Sequence, residues 1–263
     1  MSWFQTGYDG VKKEEERLAS QYGPDRYWMK PEERRSIVWI DDDPACIHEH
    51  NPQINGDWKN WFTCAQGVHE DVYCCEAMPD SRAYVGYLTV VDCSSYVDSR
   101  GNTRQFELKL FPAKLRTLKI LQGKKTDRDN RLKGRVFRVT RTDENTPGCG
   151  NDFEFERDVE DPTKLFHQVS YKGKKLSELF AKAESNPEEM EKLKKIFDLK
   201  IVDGKIAREV PKFNYFEVLK PKNPRELREM LRGARIAGKT KKGKAATGGD
   251  TGGGSRPDDD IPF

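Results

Sequence analysis

Between Ser36 and Arg157 the apolar residues fall in short alternating runs cut by turn chemistry, a pattern that points to a mainly β body. Strands are predicted over residues 26–30, 36–40, 46–50, 58–63, 83–92, 104–111, 134–142 and 152–157. Asp42-Asp43-Pro44, Asn55-Gly56, Arg100-Gly101-Asn102 and Asn145-Thr146-Pro147-Gly148 separate them. Asn-Gly between apolar runs is a hairpin signal because both residues tolerate positive φ. Leu115, Leu118 and Leu121 stand at helical spacing and predict a helix over 113–121, between the third and fourth core strands. The expected class is therefore mainly β with accessory helices (α+β), an OB-fold-like Greek-key β-barrel.

Composition shifts divide the chain. Residues 1–25 are a polar N-terminal arm, closed by Gly23-Pro24, and 26–236 are the expected core. Within it, residues 46–78 hold most of the cysteines and histidines, and 163–236 read as largely helical. Asn186-Pro187 and Asn223-Pro224 are helix starts, with an Asn cap and Pro at the first helical position. Met190, Leu193 and Phe197 form one stripe, and Leu227, Met230, Leu231 and Ala234 another; both are read as packing faces. Residues 237–263 are Lys-, Gly-, Ala- and Thr-rich before an acidic end, a composition that reads as a flexible linker and tail.

Charged residues make up 35% of the chain and hydrophobic ones 35%, polar for a folded protein yet enough for one core. A net charge of +3 conceals a polarised molecule. Bases dominate 109–141, and acids gather at 41–43, 152–161 and the end. No apolar run approaches the roughly 18 residues that cross a bilayer, and the first residues lack a signal-peptide core, so a cytoplasmic protein is expected. Six cysteines in a reducing compartment imply metal binding or burial rather than disulfides. There is no phosphate-cradling loop, nucleophile elbow or HExxH pair, so no enzyme activity is expected. Asp41, Asp42 and Asp43 beside Pro44 read as a strand-ending turn rather than a Mg²⁺ site.

The most specific motif is terminal: Asp258, Asp259, Asp260, Ile261, Pro262 and Phe263. Three carboxylates followed by Ile-Pro-Phe offer a partner protein a charged anchor and an apolar one. The motif DDDIPF is similar to the C-terminus of bacterial single-stranded DNA-binding proteins, which implies recruitment of replication and recombination enzymes. The stretch HEHNPQINGDWKNWFTC, followed by CCEAMPDSRAYVGYLTVVD, resembles the core of phage single-stranded DNA-binding proteins of the T-even type. That resemblance implies a zinc-knuckle-like subdomain over about 46–78, with Cys64 and Cys75 as ligands. It also implies neighbour contacts along DNA through the N-terminal arm, giving cooperative self-association, and residence in an infected bacterial host. The chain departs from the family at Val72, where the knuckle has cysteine. The third ligand is then His69 or Cys74, and the fourth His50 or His48, whose alternation puts both on one strand face. Four N and S ligands suit a closed, structural Zn²⁺ site.

Single strands are held by stacking bases on rings while Lys and Arg track phosphates. The predicted nucleic-acid contacts are Trp58, Lys59, Trp61, Arg82, Tyr84, Tyr87, Arg104, Phe106, Lys109, Phe111, Lys114, Arg135, Phe137, Arg138 and Arg141. Arg135, Phe137, Val139 and Arg141 alternate onto one face, a mixture that reads as a groove. The expected function is sequence-tolerant binding of single-stranded DNA in phage replication, recombination and repair. The rival readings are a metal-dependent nuclease and a zinc-containing transcription or assembly adaptor.

Overall fold

A computed structural model describes residues 23–56, 60–97, 101 and 103–236. Most of the N-terminal arm, Trp58, Lys59 and the acidic tail lie outside the described residues. The strands are β1 (Arg34–Trp39), β2 (Ala45–His50), β3 (Phe62–Thr63), β4 (Arg82–Asp92), β5 (Tyr96–Val97), β6 (Thr103–Arg104), β7 (Glu107–Lys114), β8 (Arg135–Thr140), β9 (Asp152–Asp158), β10 (Ser170–Tyr171), β11 (Lys174–Lys175), β12 (Phe197–Asp198), β13 (Ile201–Val202), β14 (Lys205–Ile206) and β15 (Lys212–Phe213). The helices are α1 (Tyr73–Ala77), α2 (Leu115–Thr126), α3 (Pro162–Gln168), α4 (Leu176–Glu184), α5 (Pro187–Ile196), α6 (Tyr215–Val218) and α7 (Pro224–Met230). None is long and apolar enough to cross a membrane.

Nine strands make one sheet in the order β11-β10-β7-β4-β1-β8-β9, with β2 also on β4 and β3 beyond it. β1 and β2 lie end to end along one edge of β4, with Trp39 opposite Val90 and Ala45 opposite Tyr87. Residues 40–44 therefore stand against only Leu88 and Thr89. This bulge bends the edge sharply and is pinned where the Thr89 N–H donates to the buried Asp41 carboxylate at 2.6 Å.

The bend curls the sheet around an aromatic interior. Ile37, Trp39, Leu88, Val90, Phe111, Phe137, Val139 and Phe153 all point inward and are buried. Trp39 meets Phe111 edge-on at 4.9 Å, and Phe111 meets Phe153 at 6.1 Å, so β7 and β9 face each other across the rings. They do not pair with one another, and the expected closed barrel is an open, mixed α+β sheet. The reason is the segment 25–29, which overlaps the strand predicted over 26–30. It occupies the edge of β7 instead, through Tyr27 N–H to Leu110 O at 2.8 Å and Leu110 N–H to Asp25 O at 2.9 Å. Met29 N–H then reaches Gly148 O at 2.8 Å, spanning toward the β8–β9 turn.

β7 runs on through Pro112, which stands opposite Tyr87, so the next helix covers Leu115–Thr126 rather than 113–121. That helix sits on Gly86: a Cβ there would lie 2.6 Å from Leu118 Cδ2 and 3.0 Å from Pro44 Cβ, so a larger residue would force the Leu118 side chain to move.

Residues 159–219 cover the outer face of the same sheet. Val38, Val85, Tyr87, Val91, Leu108 and Leu110 pack under Phe166, Phe180, Leu193, Phe197 and Phe213. Asn186 caps α5 by accepting the Glu188 N–H at 2.9 Å, and Asn223 caps α7 by accepting the Arg225 N–H at 2.9 Å, as the Asn-Pro starts predict. Phe197 leaves the helix and pairs with Phe213 in the β12–β15 ribbon, while Met230 is exposed instead of joining Leu227 and Leu231 in packing. Asp41, Asp42 and Asp43 each hold the fold. Tyr215 O–H donates to Asp41, Asp42 accepts the Leu132 and Lys133 N–H groups at 2.8 Å, and Asp43 pairs with Lys125.

Candidate metal centre and the exposed ribbon beside it

The chain between β2 and β4 carries a small cluster in which His50, Cys64, Cys74 and Cys75 place one ligand atom each within 4.8 Å of all the others. Cys64 Sγ lies 3.4 Å from Cys75 Sγ, Cys74 Sγ lies 3.9 Å from Cys75 Sγ, and Cys75 Sγ lies 3.6 Å from His50 Nε2. These are far from the ~2.05 Å of a disulfide. Three thiols and an imidazole converging on one point can hold a metal ion.

Local structure explains each ligand. His50 ends β2 and is buried, with Nδ1 3.1 Å from Met78 O. A proton on Nδ1 donates to that carbonyl and leaves the Nε2 lone pair facing the thiols. Burial also lowers the His50 pKa, which favours the neutral imidazole a metal needs. Cys64 follows β3, pairing with the β2 backbone through its N–H to His48 O at 2.9 Å. Cys74 and Cys75 open α1 on adjacent positions, about 100° apart around the helix axis, so both flank the same point. The Ala65 N–H lies 3.3 Å from Cys74 Sγ, an outer hydrogen bond of the kind that supports a thiolate. Burial and then the hydrogen bonds with Cys64 and Cys74 push Cys75 up to about 12. Neighbouring thiolates repel one another, and a bound cation removes that repulsion.

The expected ligand set is corrected at one position: Cys74 takes the place given to His69. His69 lies in a turn closed by its own N–H to Ala65 O at 3.0 Å and is not part of the cluster. His48 shares the strand face of His50 but is exposed, with its ring 5.3 Å from the Tyr84 ring. Cys46 is exposed, Cys93 is half-buried and Cys149 is buried, all outside the cluster.

From this centre a two-stranded ribbon runs toward α2. His50 stands opposite Arg82, His48 opposite Tyr84 and Cys46 opposite Gly86, so these six share one face. Arg82, Tyr84 and His48 are exposed on it, Tyr84 by 43%. One end of the face meets the cluster through His50. The other meets α2 where Leu118 lies on Gly86, and exposed Leu115, Arg116 and Lys119 surround that contact in sequence. Arg82, Arg116 and Lys119 have no acidic partner among the described residues. The opposite face of the ribbon is occupied. Arg26 stacks 4.3 Å from the Trp61 ring and 5.1 Å from the Tyr87 ring, and pairs with Glu49 at 2.8 Å.

Several predicted nucleic-acid contacts are interior. Tyr87, Lys109, Phe111, Arg135, Phe137 and Arg141 are all buried. The supposed groove face of Arg135, Phe137, Val139 and Arg141 is the inner face of the curl. Its two arginines lie at opposite ends, where a guanidinium reaches backbone carbonyls. Arg135 donates to Arg128 O and Arg131 O, and Arg141 to Met29 O at 2.7 Å, Glu144 O at 3.0 Å and Thr146 O at 3.2 Å. Lys109 is spent on the buried Asp92 at 2.9 Å, which Arg35 also holds at 2.9 Å. Arg138 is exposed but paired with Glu156 at 2.7 Å and Glu154 at 3.7 Å. Arg104 lies against Gly173 and near Glu107, Phe106 packs on the outer core, and Lys114 stands opposite Val85.

The residues that the sequence reading passed over are His48 as a surface ring, Arg116 and Lys119. The helical signal that placed Leu118 already put both cations on the same helix. Comparison of the chain with protein-family models, curated proteins and solved structures finds no match.

Proposed function

We propose that this chain is a sequence-tolerant single-stranded DNA-binding protein with an OB-like core and a structural zinc ion. The observation that carries the reading is the ribbon face of Arg82, Tyr84 and His48, an exposed ring pair flanked by cations without acidic partners. Stacking on such rings and phosphate contact with such cations bind unpaired strands without reading sequence. The strand order supports the placement. β7-β4-β1-β8-β9, with α2 between β7 and β8, is the order of an OB barrel opened between its third and fifth strands. In that scheme β4 is the second strand, and residues 51–81 form the loop after the first. OB folds bind oligonucleotides with these parts.

Zinc suits the cluster on geometry. A tetrahedral ion with metal–sulfur bonds of about 2.3 Å and a metal–nitrogen bond of about 2.0–2.1 Å spaces its ligands by roughly 3.5–3.8 Å. The observed 3.4, 3.6 and 3.9 Å lie close to those edges, and all four ligand atoms stay within 4.8 Å of one another. His50, Cys64, Cys74 and Cys75 would complete the shell, so the ion's role is to hold the wall of the ribbon rather than to activate water. The acidic end, Asp258–Asp260 with Ile261, Pro262 and Phe263, would recruit replication and recombination proteins. In the acidic run beside Pro44, Asp41 and Asp42 accept backbone N–H groups of Thr89, Leu132 and Lys133, which supports reading it as a structural turn rather than a Mg²⁺ site.

An equilibrium titration with oligo-dT and a duplex of equal length tests the reading. The single strand is expected to bind at least about 100-fold more tightly, with affinity falling steeply as salt rises. Equal affinity for the two, or Mg²⁺-dependent cleavage of either, overturns it.

A further inference from the structure

The last described helix is attached to the metal subdomain. Leu227 of α7 and Leu231, which ends it, are buried in a small core whose other buried members are Phe62, Cys64, Ala65, Cys74, Ala77 and Met78, two of them in the metal cluster. Arg228 grips the turn leading into α1 from both sides, with its guanidinium 2.7 Å from the Asp71 carboxylate and 4.6 Å over the Tyr73 ring. Asn55 N–H donates to Arg235 O at 2.9 Å, Arg235 N–H returns to Asn55 Oδ1 at 3.0 Å, and Ile54 bridges Ile236. These partners all lie within residues 54–78.

We propose that the metal centre is the clamp for this C-terminal segment, so that loss of the ion frees residues 224–236 and with them the attachment point of residues 237–263. The proposal rests on the zinc assignment made above. A helix as short as α7 has no stability of its own, so its position is whatever its contacts impose. The residues it contacts form a core too small to stand without a cross-link, and the ligand shell is that cross-link. Ion binding and α7 docking are then linked, and the linkage works in both directions. With the ion bound, the acidic end departs from a fixed point beside Ile54. Without it, the point of departure moves along the chain to residue 223 or before.

Limited trypsin digestion of the full chain, with and without a zinc chelator, reads this directly after metal analysis of the same sample. Arg225, Arg228, Arg232 and Arg235 report on the segment, while Arg116 and Lys119 in α2 report on the body. Chelation is expected to raise cleavage at the first four by about tenfold or more and leave the α2 sites unchanged. Unchanged cleavage in 224–236 overturns the clamp, as does equal acceleration at the α2 sites, which is general unfolding. A sample that takes up no zinc overturns the zinc assignment itself and is recognised before protease is added. In the reverse direction, Leu231→Ala replaces no ligand and is expected to weaken zinc by about fivefold or more in competition with a chromophoric chelator. Unaltered zinc affinity in that variant also overturns the clamp.

Discussion

Cys64→Ser is expected to lose stoichiometric zinc and to melt residues 51–81 while leaving the curled sheet folded. Cys64 is one of the four converging side chains that could hold the ion and is itself buried in the subdomain core. Structural zinc contributes about 10–16 kcal/mol in small zinc-binding peptides. The eight buried residues of this core offer no reserve to offset even a fraction of that loss. Native mass spectrometry gives the metal stoichiometry, and amide hydrogen exchange locates the opened segment. Cys149→Ser is the control, because Cys149 is buried elsewhere and should keep the metal. Full zinc occupancy in Cys64→Ser, or exchange protection unchanged through residues 51–81, contradicts the account. Zinc affinity in the wild type should also fall as pH drops, since thiols and imidazole must shed protons to bind.

The second large effect concerns binding. Arg82→Ala together with Tyr84→Ala is expected to weaken oligo-dT by about 100-fold and to lower the salt slope by about 1. The first figure combines one lost base stack of roughly 1–3 kcal/mol with one lost phosphate contact. Both residues are exposed, so thermal stability should move little. Phe137→Ala gives the opposite pattern. Phe137 is fully buried beside Trp39, and its removal should cost about 3–5 kcal/mol of stability. If the exposed pair leaves affinity unchanged, the ribbon is not the binding face.

Both results turn on one feature of the chain, the insertion of the metal subdomain between β2 and β4. The same two strands that present Tyr84 and His48 end in Arg82 and His50, the latter a member of the cluster. A metal that fixes His50 therefore fixes the end of the ribbon and the exposed face upon it. On the far side of the ribbon, Arg26 is already occupied by Glu49 and two rings, which leaves the exposed face as the one open to a ligand.

Much of the fold was legible because turn chemistry is local. The Asp42-Asp43-Pro44, Asn55-Gly56 and Asn145–Gly148 stretches each separate elements, and β4 and β9 begin and end within one residue of the predicted runs. Closure was not legible, since it depends on which chain segment takes the free edge of β7, a contact between residues far apart in sequence. Alternation showed that Arg135, Phe137, Val139 and Arg141 share a face but could not say that the face is inward. Arginine normally marks the outside, and only the curled geometry brings the ends of that face within reach of carbonyls. At the candidate metal site, the family resemblance implied Cys64 and Cys75, while His50 or His48 and His69 or Cys74 stayed open. The choice of Cys74 comes from the short helix α1, which turns adjacent cysteines around a common point.

The most direct test is photo-crosslinking of the full chain to oligo-dT carrying 5-iododeoxyuridine, with the modified peptides located by mass spectrometry. The account predicts crosslinks at Tyr84 or His48. Crosslinks confined to the β8–β9 surface around Arg138, or to the β12–β15 region, contradict it.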